Sequence, residues 1–287
     1  MKLFLYFLLC ILMTLFGAVY AEDQKPEIMT AQALGNFPAP IPDHTIFYGG
    51  GAPQFGELWM PKTPVPENGF PVIMFIHGGC WYAEYDIKHT RNLTKHLSDA
   101  GFAVWSVEFR RIGHEGGGFP GTFDDILTSG KALDKLAGPH RLDLSRVVVS
   151  GHSAGGHLAL WYGREAKIKP KAVLAMAPAA DLSYLSKEQT CGNAATKLMG
   201  GSPKDKAEAY KMADTALNPL QTVPQTIFIG KYDKTWTPVA LRYVEVLKEK
   251  MIAHTVIEAP LSGHFEMIDP RHKTFSLLVK EFKRLAN

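Results

Sequence analysis

The sequence predicts an α/β fold, a mostly parallel, eight-stranded twisted sheet with helices on both faces. Three observations predict it. Short β-branched or apolar runs alternate with stretches of helical length, the strand–helix–strand spacing of parallel sheets with right-handed crossovers. The run Val72–Ile76 is continuously apolar, as expected of a central strand buried on both faces. Several of these runs end in glycine-containing loops, and catalytic groups in open parallel sheets gather at that carboxyl edge. A chain of 287 residues, 46% hydrophobic and 21% charged, suffices for one domain with a sizeable core.

The elements follow in order. Met1-Lys2 precedes an apolar stretch, Leu3–Phe16, and Val19-Tyr20-Ala21 stands before Glu22. This is the pattern of a secretory signal, residues 1–21, cleaved after Ala21, which makes the protein exported, periplasmic or secreted. The alternative is a retained membrane anchor. Leu9 before Cys10 does not suit a lipoprotein signal. The catalytic domain would then be 22–287. Residues 22–43 are Pro-rich and expected to drape over the surface. Ile46–Tyr48 and Phe55–Met60 read as opening antiparallel strands. Val72–His77, Ala103–Glu108, Arg146–Ser150, Ala172–Ala177, Thr226–Gly230 and Thr255–Glu258 read as parallel strands. Helices are expected near Thr90–Ala100, Thr122–Leu136, Gly155–Arg164, Pro238–Lys250 and Thr274–Leu285. The segment 181–217 is an irregular insertion, too short for a large cap and suited to a small lid or pocket wall.

The chemistry concentrates at Gly151-His152-Ser153-Ala154-Gly155, between a strand and a helix. In that context Gly-x-Ser-x-Gly forms a nucleophile elbow. The turn is tight, so its flanks must be glycine when the serine takes a strained conformation. Ser153 is raised above the sheet at a helix N-terminus, where N–H groups and the dipole favour a developing anion. Upstream, His77-Gly78-Gly79-Cys80-Trp81 closes the central strand. Its glycines let backbone donors approach a reacting carbonyl oxygen. Gly79 and Cys80, with Ala154, are the expected oxyanion hole. His77 is expected to hold the loop by side-chain hydrogen bonds.

Asp233 ends the turn after Thr226–Gly230, and His264 lies on a glycine-containing loop after the last strand. The order Ser153, Asp233, His264 is that of a Ser-acid-His triad. A serine hydroxyl is a poor nucleophile at neutral pH. An imidazole must take its proton and pass it to the leaving group, while a carboxylate fixes the tautomer. Among 11 histidines, His264 is the one on the glycine-containing loop that follows the last strand, while His272 lies nearer the last helix with no triad context. Asp181, after the strand Ala172–Ala177, is a rival acid, and Asp269 is expected to cap the final helix.

These motifs resemble a known family. His-Gly-Gly-x-Trp at His77–Trp81, Gly-x-Ser-x-Gly-Gly-His at Gly151–His157 and the terminal Gly263-His264 are similar to α/β hydrolases related to kynurenine formamidase. Bacterial carbohydrate esterases, feruloyl and acetyl, resemble the same group. Val107–Arg111 and Gly116–Asp125 are similar to two further segments of it. The resemblance runs from about Ile46 to the C-terminus and implies the α/β-hydrolase fold and the triad. Cys80 stands where an aromatic is frequent and Phe109 where a tyrosine is common.

Two activities fit. One is a serine carboxylesterase cleaving small esters through an acyl-enzyme; the other is an arylformamidase. The export signal favours the esterase, since tryptophan breakdown is usually intracellular. A catalytically inert binding protein on the same scaffold is disfavoured by the complete triad. Trp81, Tyr82, Phe119 and Trp236 sit on loops near the expected active-site edge and are candidates for a substrate-binding wall. No metal-ligand pattern and no phosphate loop stands out, so neither metal nor cofactor is expected. The expected partner is a small-molecule ester. A formal charge of +3 without a Lys/Arg run argues against nucleic acid, and no stable membrane insertion is expected once the signal is removed. Cys80 and Cys191 remain after cleavage and could pair in an oxidising compartment.

Overall fold

A computed structural model describes residues 26–35 and 39–287. The expected signal, 1–21, lies outside the described residues. A short helix α1 (Ala31–Gly35) precedes β1 (His44–Phe47), β2 (Phe55–Trp59) and β3 (Phe70–Ile76). Then come α2 (Arg91–Asp99), β4 (Ala103–Val107), α3 (Gly121–His140), β5 (Leu142–His152), α4 (Ala154–Glu165) and β6 (Ala172–Met176). Three helices, α5 (Leu182–Lys187), α6 (Thr190–Met199) and α7 (Ala207–Ala213), form the insertion. β7 (Gln225–Gly230), α8 (Trp236–Glu249), β8 (Thr255–Ala259) and α9 (Thr274–Ala286) complete the chain.

The eight strands form one sheet in the order β1-β2-β4-β3-β5-β6-β7-β8. Only β2 pairs antiparallel, with β1 and β4; every other pairing is parallel. This is the α/β-hydrolase fold, as expected. Val72 to Ile76 on β3 are completely buried, consistent with layers on both faces. The chain steps one way from β3 to β4, then back past β3 to β5. Right-handed crossovers in opposite directions put α2 on one face and α3 on the other. On α3 and α4, Phe123 meets Trp161 edge-on at 4.8 Å, and on α2 and α9, His96 meets Phe275 at 6.0 Å. The reversal of direction opens a crevice beyond the carboxyl ends of β3 and β5, which is where ligands bind in such sheets.

Some boundaries differ from expectation. β5 starts at Leu142, earlier than expected, because Phe70 and Pro71 pair with Leu142 and Asp143 across a register shift. α3 continues beyond Leu136 to His140, with Pro139 in its last turn. α1 was not foreseen. Asp269 does not cap α9; it accepts from the Arg271 main chain and guanidinium, and Lys273 precedes the helix with no capping side chain.

Candidate active site

The elbow forms as its sequence requires. Ser153 adopts φ 56°, ψ −117°, a strained conformation between β5 and α4. A Cβ at Gly151 would fall 2.3 Å from the Gly155 oxygen, and one at Gly155 would fall 2.0 Å from the Ile76 oxygen. Both positions therefore need glycine, because the turn presses on itself and on β3. Ser153 is 3% exposed and stands at the N-cap position of α4, its side chain making no capping hydrogen bond.

Asp233 and His264 meet. His264 Nδ1 lies 2.6 Å from Asp233 Oδ2, and the other carboxylate oxygen accepts the N–H groups of Thr235 (3.2 Å) and Trp236 (2.9 Å) at the start of α8. The helix end fixes the carboxylate, and the carboxylate fixes the ring. With Nδ1–H donating to the acid, Nε2 carries the free lone pair. The Trp236 ring stacks on His264 at 5.4 Å and 23°. Asp181, the rival acid, is engaged elsewhere: it caps α5 through the Tyr184 N–H (2.8 Å) and pairs with Arg242 (2.8 Å). Among the described residues, Ser153 Oγ forms no hydrogen bond to the His264 ring, so the acid–imidazole half of the relay is assembled and the serine–imidazole half is not.

The N–H groups of Gly79, Cys80 and Ala154 donate to no acceptor among the described residues, so all three are available to a ligand oxygen. A Cβ on Gly78 would lie 3.2 Å from the Ser153 Cβ, which places this loop against the elbow. Gly79 and Cys80 both have positive φ, 111° and 49°. What holds them is a buried charge cluster. His77 Nδ1 faces the Gly78 oxygen (2.8 Å) and Nε2 faces Glu108 (3.0 Å), the loop-holding role expected of it. Glu108 also accepts from the Ile87 and Phe109 main chain and from Arg111 at 3.0 Å. Burial pushes the Glu108 carboxyl up, but His77, Arg111 and the Phe109 N–H outweigh it and hold the carboxyl at about 2.

The four aromatic candidates occupy different places. Trp81 is 1% exposed and meets His157 edge-on at 5.5 Å, so it is packed inside rather than facing a ligand. Trp236 is also buried, beneath His264. Tyr82 is half-buried, and its hydroxyl is shared between the Cys191 and Gly192 oxygens (3.2 and 3.1 Å). Phe119 is half-buried against Phe123, its N–H bonded to the Leu198 oxygen (2.7 Å). Tyr82 and Phe119 thus clasp α6 to the oxyanion side. Cys80 and Cys191 are joined as a disulfide, which completes that clasp and makes the insertion a wall of the site.

Two residues of the site were given no role from sequence. His152, inside the motif, is buried and its Nε2 donates to the His264 main-chain oxygen (2.9 Å). Glu266 accepts the Gly263 N–H (2.9 Å) and the Met29 N–H, so the N-terminal arm, expected to drape the surface, is tied to the histidine loop. The available signals were weak: an unassigned histidine beside Ser153 and a carboxylate two residues past His264.

The BD-FAE family matches residues 57–251. Methylphloroacetophenone synthase of Cladonia uncialis is 30% identical over 151 residues, 47% of this chain and 6% of that protein. Esterase LipC of Mycobacterium tuberculosis is 23% identical over 223 residues, 75% of this chain and 43% of that protein. The chain thus spans less than half the length of these curated relatives. Esterase B of Lactobacillus rhamnosis superposes with a TM-score of 0.73 at 19% identity, covering 87% of this chain and 88% of that one.

Proposed function

We propose that this chain, which belongs to the BD-FAE family, is an exported serine hydrolase of small carboxylic esters. The observation that carries the reading is the 2.6 Å Asp233–His264 contact beside a serine elbow flanked by three unengaged N–H groups. The similarity to esterase LipC supports it.

Each step follows from a named atom. An ester carbonyl carbon docks over Ser153, with its oxygen toward the N–H groups of Gly79, Cys80 and Ala154. His264 Nε2 takes the hydroxyl proton as Ser153 Oγ attacks, and Asp233 stabilises the imidazolium through Nδ1–H. The tetrahedral oxyanion accepts from the backbone donors, each worth about 3–4 kcal/mol to the transition state. His264 returns the proton to the departing alcohol, which leaves Ser153 acylated. Water repeats the sequence and releases the acid. The disulfide-clasped wall is short and mixed in polarity, which suits short acyl groups or carbohydrate-linked esters better than long chains. Export through residues 1–21 is consistent with a disulfide, which persists in oxidising compartments.

The test is a side-by-side kcat/KM comparison of acetyl, butyryl and palmitoyl esters, an acetylated or feruloylated sugar, and N-formylkynurenine. The expected order places acetyl, butyryl or sugar esters first. A clear preference for N-formylkynurenine would make the enzyme an arylformamidase, and a preference for palmitoyl esters would show that the wall does not limit chain length.

A further inference from the structure

A cavity of about 400 Å³ lies between α3, α4 and the loop that follows α4, at the opposite end of the sheet from Ser153. Val147 on β5 lines it, six residues before the nucleophile, or roughly 20 Å along an extended strand. It is therefore separate from the candidate active site. Its interior is apolar, built from Leu127, Leu133, Leu144, Val147 and Pro170, with the exposed Ile168 at its rim.

One polar group interrupts that lining. Tyr162 of α4 is 8% exposed and lines the cavity, and its hydroxyl makes no hydrogen bond to any described residue. The hydroxyl oxygen keeps some accessible surface, so it can reach a molecule held in the cavity. Burial, assisted by Asp134, pushes this hydroxyl up to about 12, so it stays protonated and able to donate. The opposite helix makes room for it. Gly130 of α3 carries no side chain, and a Cβ there would fall 2.2 Å from the Tyr162 hydroxyl oxygen. The rim bears both signs, Lys131, Lys167 and Lys169 with Asp134 and Glu165, so it selects neither anions nor cations. A fully charged group in the apolar interior would lack a partner and be costly.

We propose that this cavity is a second small-molecule site, taking an uncharged amphiphile: an aliphatic or aryl chain with one hydroxyl or carbonyl oxygen directed at Tyr162. A cavity of about 150 Å³ holds benzene, so this one accommodates roughly 15 heavy atoms by proportion. The chemistry is that of a medium-chain alcohol or a neutral ester of similar length.

The experiment is calorimetric titration of 1-octanol into the full-length protein, with octanoate and octyltrimethylammonium as charged counterparts. The protein is titrated before and after an organophosphonate has blocked the nucleophile. Saturable 1-octanol binding is expected, unchanged by the block and at least tenfold tighter than either ion. Tyr162→Phe keeps the shape and removes the donor, so it should weaken 1-octanol by about three- to tenfold. Leu144→Trp should fill the cavity and abolish the binding, with circular dichroism verifying the fold. Absence of saturable binding, loss of binding on phosphonylation, tighter binding of either ion, or equal affinity in wild type and both variants would each overturn the proposal. Because the block and the binding are read separately, a failure of the esterase reading would appear as no phosphonate adduct and leave the cavity result intact.

Discussion

His152 Nε2 donates to the main-chain oxygen of His264 across 2.9 Å, and the two rings lie 4.3 Å apart. The acceptor is a carbonyl, so this nitrogen must carry the hydrogen. Burial, reinforced by the neighbouring His264, pushes the His152 imidazole well below its ordinary range and keeps it neutral. The residue before Ser153 therefore tethers the loop that carries His264, the proposed general base. We predict that His152→Ala lowers kcat on a short 4-nitrophenyl ester by roughly tenfold, about 1.4 kcal/mol, with little change in KM. His152→Gln, whose amide can donate to the same oxygen, should recover part of the loss. Equal kcat in wild type and His152→Ala would remove the tether from the account.

The acid is the second prediction. Asp233 uses both oxygens in the site, while Asp181 is spent on α5 and Arg242. Asp233→Asn should lower kcat by about 10³–10⁴, the scale expected when the imidazole tautomer is no longer fixed. Asp181→Asn should act on stability and leave kcat near wild type. A reversed ranking in steady-state kinetics would reassign the acid.

Much of this was legible in the residues. All eight strands overlap the runs that indicated them. The inner strands β3, β4, β6 and β7 are buried along nearly all their length and leave a continuous apolar signature, whereas the edge strands β1 and β8 are largely exposed and were marked by β-branched and aromatic residues. Ser153 and its glycines were legible because their spacing encodes a steric requirement. The pairing of Asp233 with His264 was indicated by chain order and by the place of each after a strand end, and the contact between them rather than the order sets Asp233 above Asp181. What stayed hidden depends on distance across the fold. Glu108 looked like a charged residue at a strand end, yet it collects His77, Arg111 and two main-chain donors. The Cys80–Cys191 bond spans 111 positions, and nothing local reports such a separation. Trp81 read as a loop aromatic facing a ligand, but the loop turns it inward.

Stability should fall in acid in two stages. Burial pushes the His157 imidazole down to about 4, below its ordinary 6.5. The unfolded chain therefore takes up a proton that the folded one refuses, and stability declines as the pH drops from about 6.5 towards 4. Glu108, held at about 2 against an ordinary 4.5, adds a second loss between those values. Each group moved this far contributes on the order of 3 kcal/mol. Urea midpoints should drop between pH 7 and 4, and less steeply in His157→Gln. A midpoint independent of pH across that range would contradict this.

The disulfide closes a loop of 111 residues, for which chain entropy predicts about 4–5 kcal/mol. Reduction, or Cys191→Ser, should lower the Tm by several degrees. It should also reduce kcat, because Cys80 belongs to the expected oxyanion loop. Thiol counting on the denatured, unreduced protein should find neither Cys80 nor Cys191 free. Two free thiols, or a Tm indifferent to reductant, would speak against the clasp.

Ser153 is the proposed acyl-forming nucleophile, and covalent labelling locates it. The full-length protein is treated with an organophosphonate ester, digested, and the adduct located by mass spectrometry. A single stoichiometric adduct on Ser153 is expected, with loss of esterase activity in proportion to labelling. Modification of a different serine, or full activity after Ser153 is completely labelled, would contradict it.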